Sequence, residues 1–235
     1  MSALPVTEHV YRVPEMFVNV FLIVLPGGIT MVDAGLRRGF PRIERAIREL
    51  GRRPDEVTDI VVTHLHADHT GGLAEARAAT GARVWMHPLD ARMTAAGESR
   101  RPSSPSPGSV MGTLFVGIFA AITSAKIAPV EADGLVNDRE EIPVAGGMLP
   151  VWSPGHTEGH VAYLWPGDGG VLFVGDAGGR GRVLQASPVY EDYQQGLRSL
   201  RELASLDFQT ACFSHGRPLI GGAAAEFVKT WGSAR

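Results

Sequence analysis

Cysteine is nearly missing from this chain: Cys212 stands alone among 235 residues, so no internal disulfide can form and a reducing compartment suits it. A single cysteine in the apolar run Gln209–Phe213 reads as a buried strand residue rather than a nucleophile. Positive charge is not in excess either. The net charge of −3 gives no general pull toward phosphate backbones, so nucleic acid is not expected as a partner. Met1–Pro14 shows no basic stretch followed by an apolar one, and a cytoplasmic location is expected. Crossing a bilayer takes ~20 apolar residues. The greasy run Val110–Ile122 is shorter and is interrupted at Gly112, Thr113 and Gly117, so no membrane partner is expected.

What is present supports a folded α/β chain. Hydrophobic residues at 44% and charged residues at 20% lie near the globular average, enough for a real core. Phe17–Leu25 and Ile29–Val32, separated by Pro26-Gly27-Gly28, read as a hairpin of buried strands. Phe40, Ile43, Ala46, Ile47 and Leu50 follow helical spacing. Asp59–Thr63 reads as a short strand, followed by a helix to about Ala79 and a strand at Val84–Met86. In the second half, strands are expected at Glu140–Val144, Met148–Trp152, Val161–Trp165, Val171–Val174 and Gln209–Phe213, with helices over Tyr190–Leu203 and Gly221–Trp231. Two β-rich halves with flanking helices predict a four-layer αβ/βα sandwich, two mixed sheets face to face with helices outside. Residues 92–138 break the rhythm and are expected as an insertion in one domain spanning 1–235. Its apolar residues Met111, Leu114, Phe115, Ile118 and Phe119 suit either a buried helix or a lid over the site.

The chemistry concentrates in one place. His64, His66, Asp68 and His69 fall within six residues, just after an apolar strand. Neutral imidazole nitrogens and carboxylate oxygens are what zinc and related divalent ions accept, and four such groups on one turn can face two ions.

Thr63-His64-Leu65-His66-Ala67-Asp68-His69-Thr70-Gly71-Gly72 resembles the signature of the metallo-β-lactamase superfamily. Pro154-Gly155-His156-Thr157-Glu158-Gly159-His160, Phe173-Val174-Gly175-Asp176-Ala177 and Phe213-Ser214-His215-Gly216 resemble its later motifs, in order. The resemblance implies that His64, His66 and His156 hold one metal, that Asp68, His69 and His215 hold another, and that Asp176 bridges them. It implies two divalent ions, zinc first, with iron or manganese as alternatives, and a bridging hydroxide that attacks the substrate. An anionic bridge also makes electrostatic sense, because two dications ringed by neutral imidazoles would repel one another. Asp68 is a candidate proton donor to the leaving group. Asp33, in Met31-Val32-Asp33-Ala34-Gly35, resembles the family's early aspartate that hydrogen-bonds near the ligand histidines. His160 suits either a supporting role or plain packing, whereas His9 and His87 read as ordinary structural or surface residues.

Departures sort the family's reactions. β-Lactamases of this kind generally lack the bridging aspartate and carry an export signal. Glyoxalase II adds a glutathione-binding region after the last histidine, where only 20 residues follow His215. The nucleases need binding segments not seen here, and the diiron flavoproteins place a glutamate where His66 stands. The expected function is therefore hydrolysis of a small-molecule ester, lactone or thioester, without the tyrosine that quorum-signal lactonases place soon after the bridging aspartate. The alternatives are a mononuclear iron dioxygenase acting on persulfides and a non-catalytic metal-binding interaction protein. The sequence does not set an oligomeric state.

Overall fold

The computed structural model describes residues 2–99, 103–107 and 126–232. Its first half builds β1 (Leu4–Pro5), β2 (Val10–Glu15), β3 (Val18–Leu25), β4 (Gly28–Val32), α1 (Phe40–Glu49) and β5 (Val57–Val61). There follow α2 (Ala67–Thr70), α3 (Leu73–Thr80), β6 (Arg83–Met86), α4 (Pro88–Ala95), β7 (Ser104–Pro105) and β8 (Gly134–Leu135). The second half adds β9 (Leu149–Trp152), β10 (Val161–Trp165), β11 (Val171–Gly175), β12 (Gly178–Arg180), β13 (Leu184–Ala186) and β14 (Val189–Tyr190). It closes with α5 (Tyr193–Leu203), β15 (Thr210–Phe213), β16 (Leu219–Ile220) and α6 (Ala223–Trp231).

Two mixed sheets result. One has the order β1-β2-β3-β4-β5-β6-β8, the other β16-β15-β11-β10-β9. Side chains alternate along each strand, so each sheet has two apolar faces to cover. In β3, Val20 and Leu22 point outward onto Ile43 and Ile47 of α1, while Phe21 and Ile23 point inward. In the second sheet, Tyr163, Trp165, Val171 and Phe173 face that inner layer, where Phe21 and Phe173 pack with ring centroids 5.7 Å apart. The opposite face, with Leu172, Val174 and Phe213, is covered by Leu200 and Leu203 of α5 and Phe227 of α6. The expected four layers are present. Cys212 is buried between the sheets, as a strand residue.

Several elements differ from the sequence expectation. Strand β2 was not foreseen, because Arg12 and Pro14 interrupt its pattern, yet Val10 and Val13 are buried. Glu140–Val144 forms no strand; Ile142 makes an isolated bridge to Met148, and the chain turns through Ala145, Gly146 and Gly147, all at positive φ. Helix α5 starts at Tyr193, where the Asp192 side chain accepts the Gln195 N–H at 2.9 Å. Gly134–Leu135, assigned to the insertion, pairs in parallel with β6 at the edge of the first sheet. The lid candidates Met111, Leu114, Phe115, Ile118 and Phe119 lie outside the described residues. No helix among the described residues is long and apolar enough to cross a membrane.

Candidate metal centre

Strand direction decides where the polar residues meet. β4 and β5 run parallel, so Asp33 and the His64–His69 segment emerge at one edge of the first sheet. β9 and β11 are each antiparallel to β10, and β15 is parallel to β11, so His156, Asp176 and His215 all follow strand ends at one edge of the second sheet. The seven side chains singled out as ligands meet where those two edges face each other. They form three overlapping trios: His64, His66 and His156; His64, His69 and Asp176; and Asp68, His69 and His215. Within each trio the potential donor atoms lie within 4.8 Å of one another.

Fixed tautomers aim the rings. His64 Nδ1 donates to Thr63 Oγ1 at 3.1 Å, and His156 Nδ1 donates to the Val189 carbonyl at 2.9 Å. Each Nε2 is thereby left as a lone pair, and both lone pairs face His66 Nδ1 at 3.0 Å. One ring nitrogen can donate to only one of them. A shared cation resolves the conflict, since nitrogens bound tetrahedrally at ~2.0–2.1 Å sit roughly 3.3 Å apart. The second group is aimed in the same manner: His69 Nδ1 meets Asp33 Oδ2 at 2.8 Å, and His215 Nδ1 donates to the Phe17 carbonyl at 2.8 Å. Asp176 reaches both groups, with Oδ2 at 3.2 Å from His215 Nε2 and 3.5 Å from His156 Nε2. Its Oδ1, Asp68 Oδ1 and His69 Nε2 are buried without a hydrogen-bond partner. Buried polar atoms left this way carry a cost that a bound cation removes, so the residues fit a metal centre.

Electrostatics divide the cluster. Burial, then the neighbouring rings, holds His64 well below its ordinary pKa, and the same causes bring His66 down to about 3. Burial also lowers His156. Each of these shifts favours the neutral ring, the form that can ligate. Burial opposes protonation at His215 too, but Asp176 and Asp68 outweigh it and raise that ring to about 10. His69 is likewise pulled down by burial and carried well above its usual value by Asp68, Asp33 and Asp176. A cation bound there would displace protons.

Supporting residues complete the picture. Asp33 makes the contact expected of it and adds the Thr63 N–H at 2.8 Å, although its own φ is +64°. His160 is not mere packing: its Nε2 accepts the Asp176 backbone N–H at 3.0 Å, so its Nδ1 donates to Ser153 Oγ at 2.9 Å. Gly175, at φ +59°, passes so close that a Cβ would lie 2.5 Å from that same Nε2. Asp90 was missed by the sequence reading. Its buried Oδ2 accepts the Leu65 N–H at 2.9 Å and the Thr157 hydroxyl at 3.2 Å, joining the loop of His64 and His66 to the loop of His156. An acidic residue in the first turn of a helix gives no sequence cue to such a long-range role.

His156, Asp176 and His215 line a cavity of about 350 Å3, together with Phe17 and residues of the β12–β13 hairpin. Phe17 stacks on His215 with centroids 6.0 Å apart.

Comparison with known proteins agrees with this geometry. The family model of the metallo-beta-lactamase superfamily matches residues 13–215. Hydroxyacylglutathione hydrolase of Pseudomonas aeruginosa is 30% identical over 169 residues, covering 70% of this chain and 49% of that protein. The chain thus spans about half the length of that relative. Probable metallo-hydrolase YflN of Bacillus subtilis is 24% identical, with 91% of this chain and 86% of that protein covered. Among solved structures, a metallo-beta-lactamase from Cronobacter sakazakii superposes with a TM-score of 0.72 at 21% identity, over 92% of this chain and 78% of its own, a likeness of fold. The match reaches from the second strand to the last of the converging histidines, and on that ground the chain belongs to the metallo-beta-lactamase superfamily.

Proposed function

We propose that this member of the metallo-hydrolase superfamily cleaves a small ester, lactone or thioester with the help of two divalent cations, zinc first. The observation that carries the reading is Asp176, which reaches His156 from the first trio and His215 from the third with the same oxygen. In this reading His64, His66 and His156 hold one ion, Asp68, His69 and His215 the other, and Asp176 both. When bound, such ions polarise a carbonyl and bring a water's pKa down to roughly 7.

The chain's own groups do the rest. The substrate carbonyl enters beside His156, Asp176 and His215, the polar end of the cavity. Asp68 lies 3.3 Å from His215 Nε2 through Oδ2, and its Oδ1 is turned to no protein donor. In this reading Asp68 receives the proton released at the attacking water and passes it to the departing oxygen or sulfur. Thr63 and Asp33 keep His64 and His69 from rotating. The relatives named for hydrolysis of an acylglutathione, an acylated thiol, support the thioester arm of the proposal.

A one-iron dioxygenase leaves the trio of Asp68, His69 and His215 without purpose, and the shared position of Asp176 favours two ions. The test is metal analysis joined to a panel of lactones, aryl esters and thioesters. Two zinc equivalents with chelator-sensitive hydrolysis are expected. One iron with oxygen uptake, or tight metal without turnover, would overturn the proposal.

A further inference from the structure

The carbonyl that aims His156 belongs to neither of the two main sheets. His156 Nδ1 lies 2.9 Å from the Val189 carbonyl and 3.2 Å from the Ser187 hydroxyl. These two partners make different demands on the ring. A carbonyl only accepts, so it keeps the proton on Nδ1 and leaves Nε2 bare, whereas a hydroxyl also donates and serves the opposite tautomer equally well. The position of the Val189 carbonyl therefore decides whether Nε2 offers a lone pair to the centre.

Val189 lies in β14, which among the described strands pairs with β7 alone, inside the insertion. Pro105 stands opposite Val189, and Ser104 opposite Tyr190. The two carbonyls ahead of Val189 are both taken by the next residue of that strap. Ser106 Oγ donates to the Ser187 carbonyl at 2.6 Å, and the Ser106 N–H donates to the Pro188 carbonyl at 2.8 Å. The Ser187 N–H goes to the Tyr190 hydroxyl at 2.9 Å, which donates in turn to the Ala177 carbonyl at 2.6 Å, next to Asp176. Ser106, Ser187, Val189 and Tyr190 are all buried, so solvent does not stand in for a lost partner. Farther along, the Gly155 carbonyl accepts the N–H groups of Glu191 at 2.8 Å and Asp192 at 3.0 Å. Residues 187–192 thus link the strap directly to the loop that carries His156.

We propose that the strap at 103–107 positions a metal ligand, with Ser106 as its positioning residue. By holding the Ser187 and Pro188 carbonyls, Ser106 keeps the Val189 carbonyl on His156 Nδ1, and the insertion thereby sets the affinity of the cation shared by His64, His66 and His156. The inference rests on the two-ion reading above and concerns how one of those ions is held. It also predicts selectivity between them. His69 and His215 take their Nδ1 partners elsewhere in the fold, from Asp33 and the Phe17 carbonyl.

Ser106→Ala removes the hydroxyl and leaves the backbone N–H in place. In zinc titrations of the full chain against a chromogenic chelator, one of the two ions should bind about tenfold more weakly, the low end of the cost of losing an outer partner. The other ion should be unaffected, and Ser106→Thr, which keeps a hydroxyl, should restore most of the loss. Nitrogen-15 NMR of the imidazoles in metal-free protein reads the His156 tautomer without metal or turnover. The wild type should carry its proton on Nδ1, and Ser106→Ala should show a mixture with the Nε2 form. In a protein that binds zinc, a loss shared equally by both ions, an affinity that does not fall, or a tautomer that Ser106→Ala leaves unchanged overturns the role of the strap. A tautomer that responds to Ser106→Ala in a protein that binds no zinc upholds the positioning and removes the two-ion reading instead.

Discussion

Asp33 Oδ2 stands 2.8 Å from His69 Nδ1, both side chains fully withdrawn from solvent. The carboxylate decides which nitrogen of His69 carries the proton and therefore which one faces the centre. Asp33→Ala should weaken metal binding about 10- to 100-fold, the usual consequence of losing such an outer partner. Asn, which tolerates positive φ, should recover part of it. Competition against a chromogenic chelator measures both.

Asp90 should behave differently, because it acts on the join between loops. Removing its carboxylate leaves the Leu65 N–H and the Thr157 hydroxyl without their shared acceptor. Asp90→Ala should cost about 3 kcal/mol of stability in denaturant unfolding, as hydrogen bonds to a charged acceptor do. Metal at the His64, His66 and His156 trio should be lost first. Asp90→Asn should restore both properties, since one amide oxygen can accept both donors.

Asp68→Asn separates proton transfer from metal holding. In preparations with unchanged metal content, turnover of substrates with poor, basic leaving groups should fall by about 10²- to 10⁴-fold. Activated aryl esters should be much less affected. Equal slowing of both classes would exclude proton donation by Asp68.

Glu15 gives a pH prediction away from the centre. It is buried, Oε2 accepts the Leu36 N–H at 2.9 Å, and Oε1 has no hydrogen-bond partner. Burial raises its pKa above the ordinary 4.5. The folded state therefore holds this proton more tightly than the unfolded chain. Its favourable contribution is complete below the unfolded pKa and is lost as pH rises through the folded one. The stability of Glu15→Gln relative to wild type should accordingly increase between pH 4 and pH 8, read from Tm at each pH.

The sequence made the clustered candidate ligands legible because each group follows an apolar strand directly, and strand runs such as Val161–Trp165 have a period and composition that local order reveals. What stayed hidden is long-range. Asp90 and Ser153 look like any short polar residues until the fold sets them against Leu65 and His160. The strand expected at Glu140–Val144 failed for a local reason: Pro143 removes a donor, and the turn through Gly147 folds the segment back on Met148. Ser106 gave no signal, since the serine matters only because the fold lays it against Ser187 and Pro188.

Drawing candidate ligands from two sheet edges imposes a schedule on biosynthesis. His64, His66, Asp68 and His69 leave the ribosome early, while Asp176 and His215 lie far downstream. A nascent chain at the early stage offers at most a loose chelate. The candidate ligands come together only after the last central strand has docked, so a metal held by all of them would be captured late in folding.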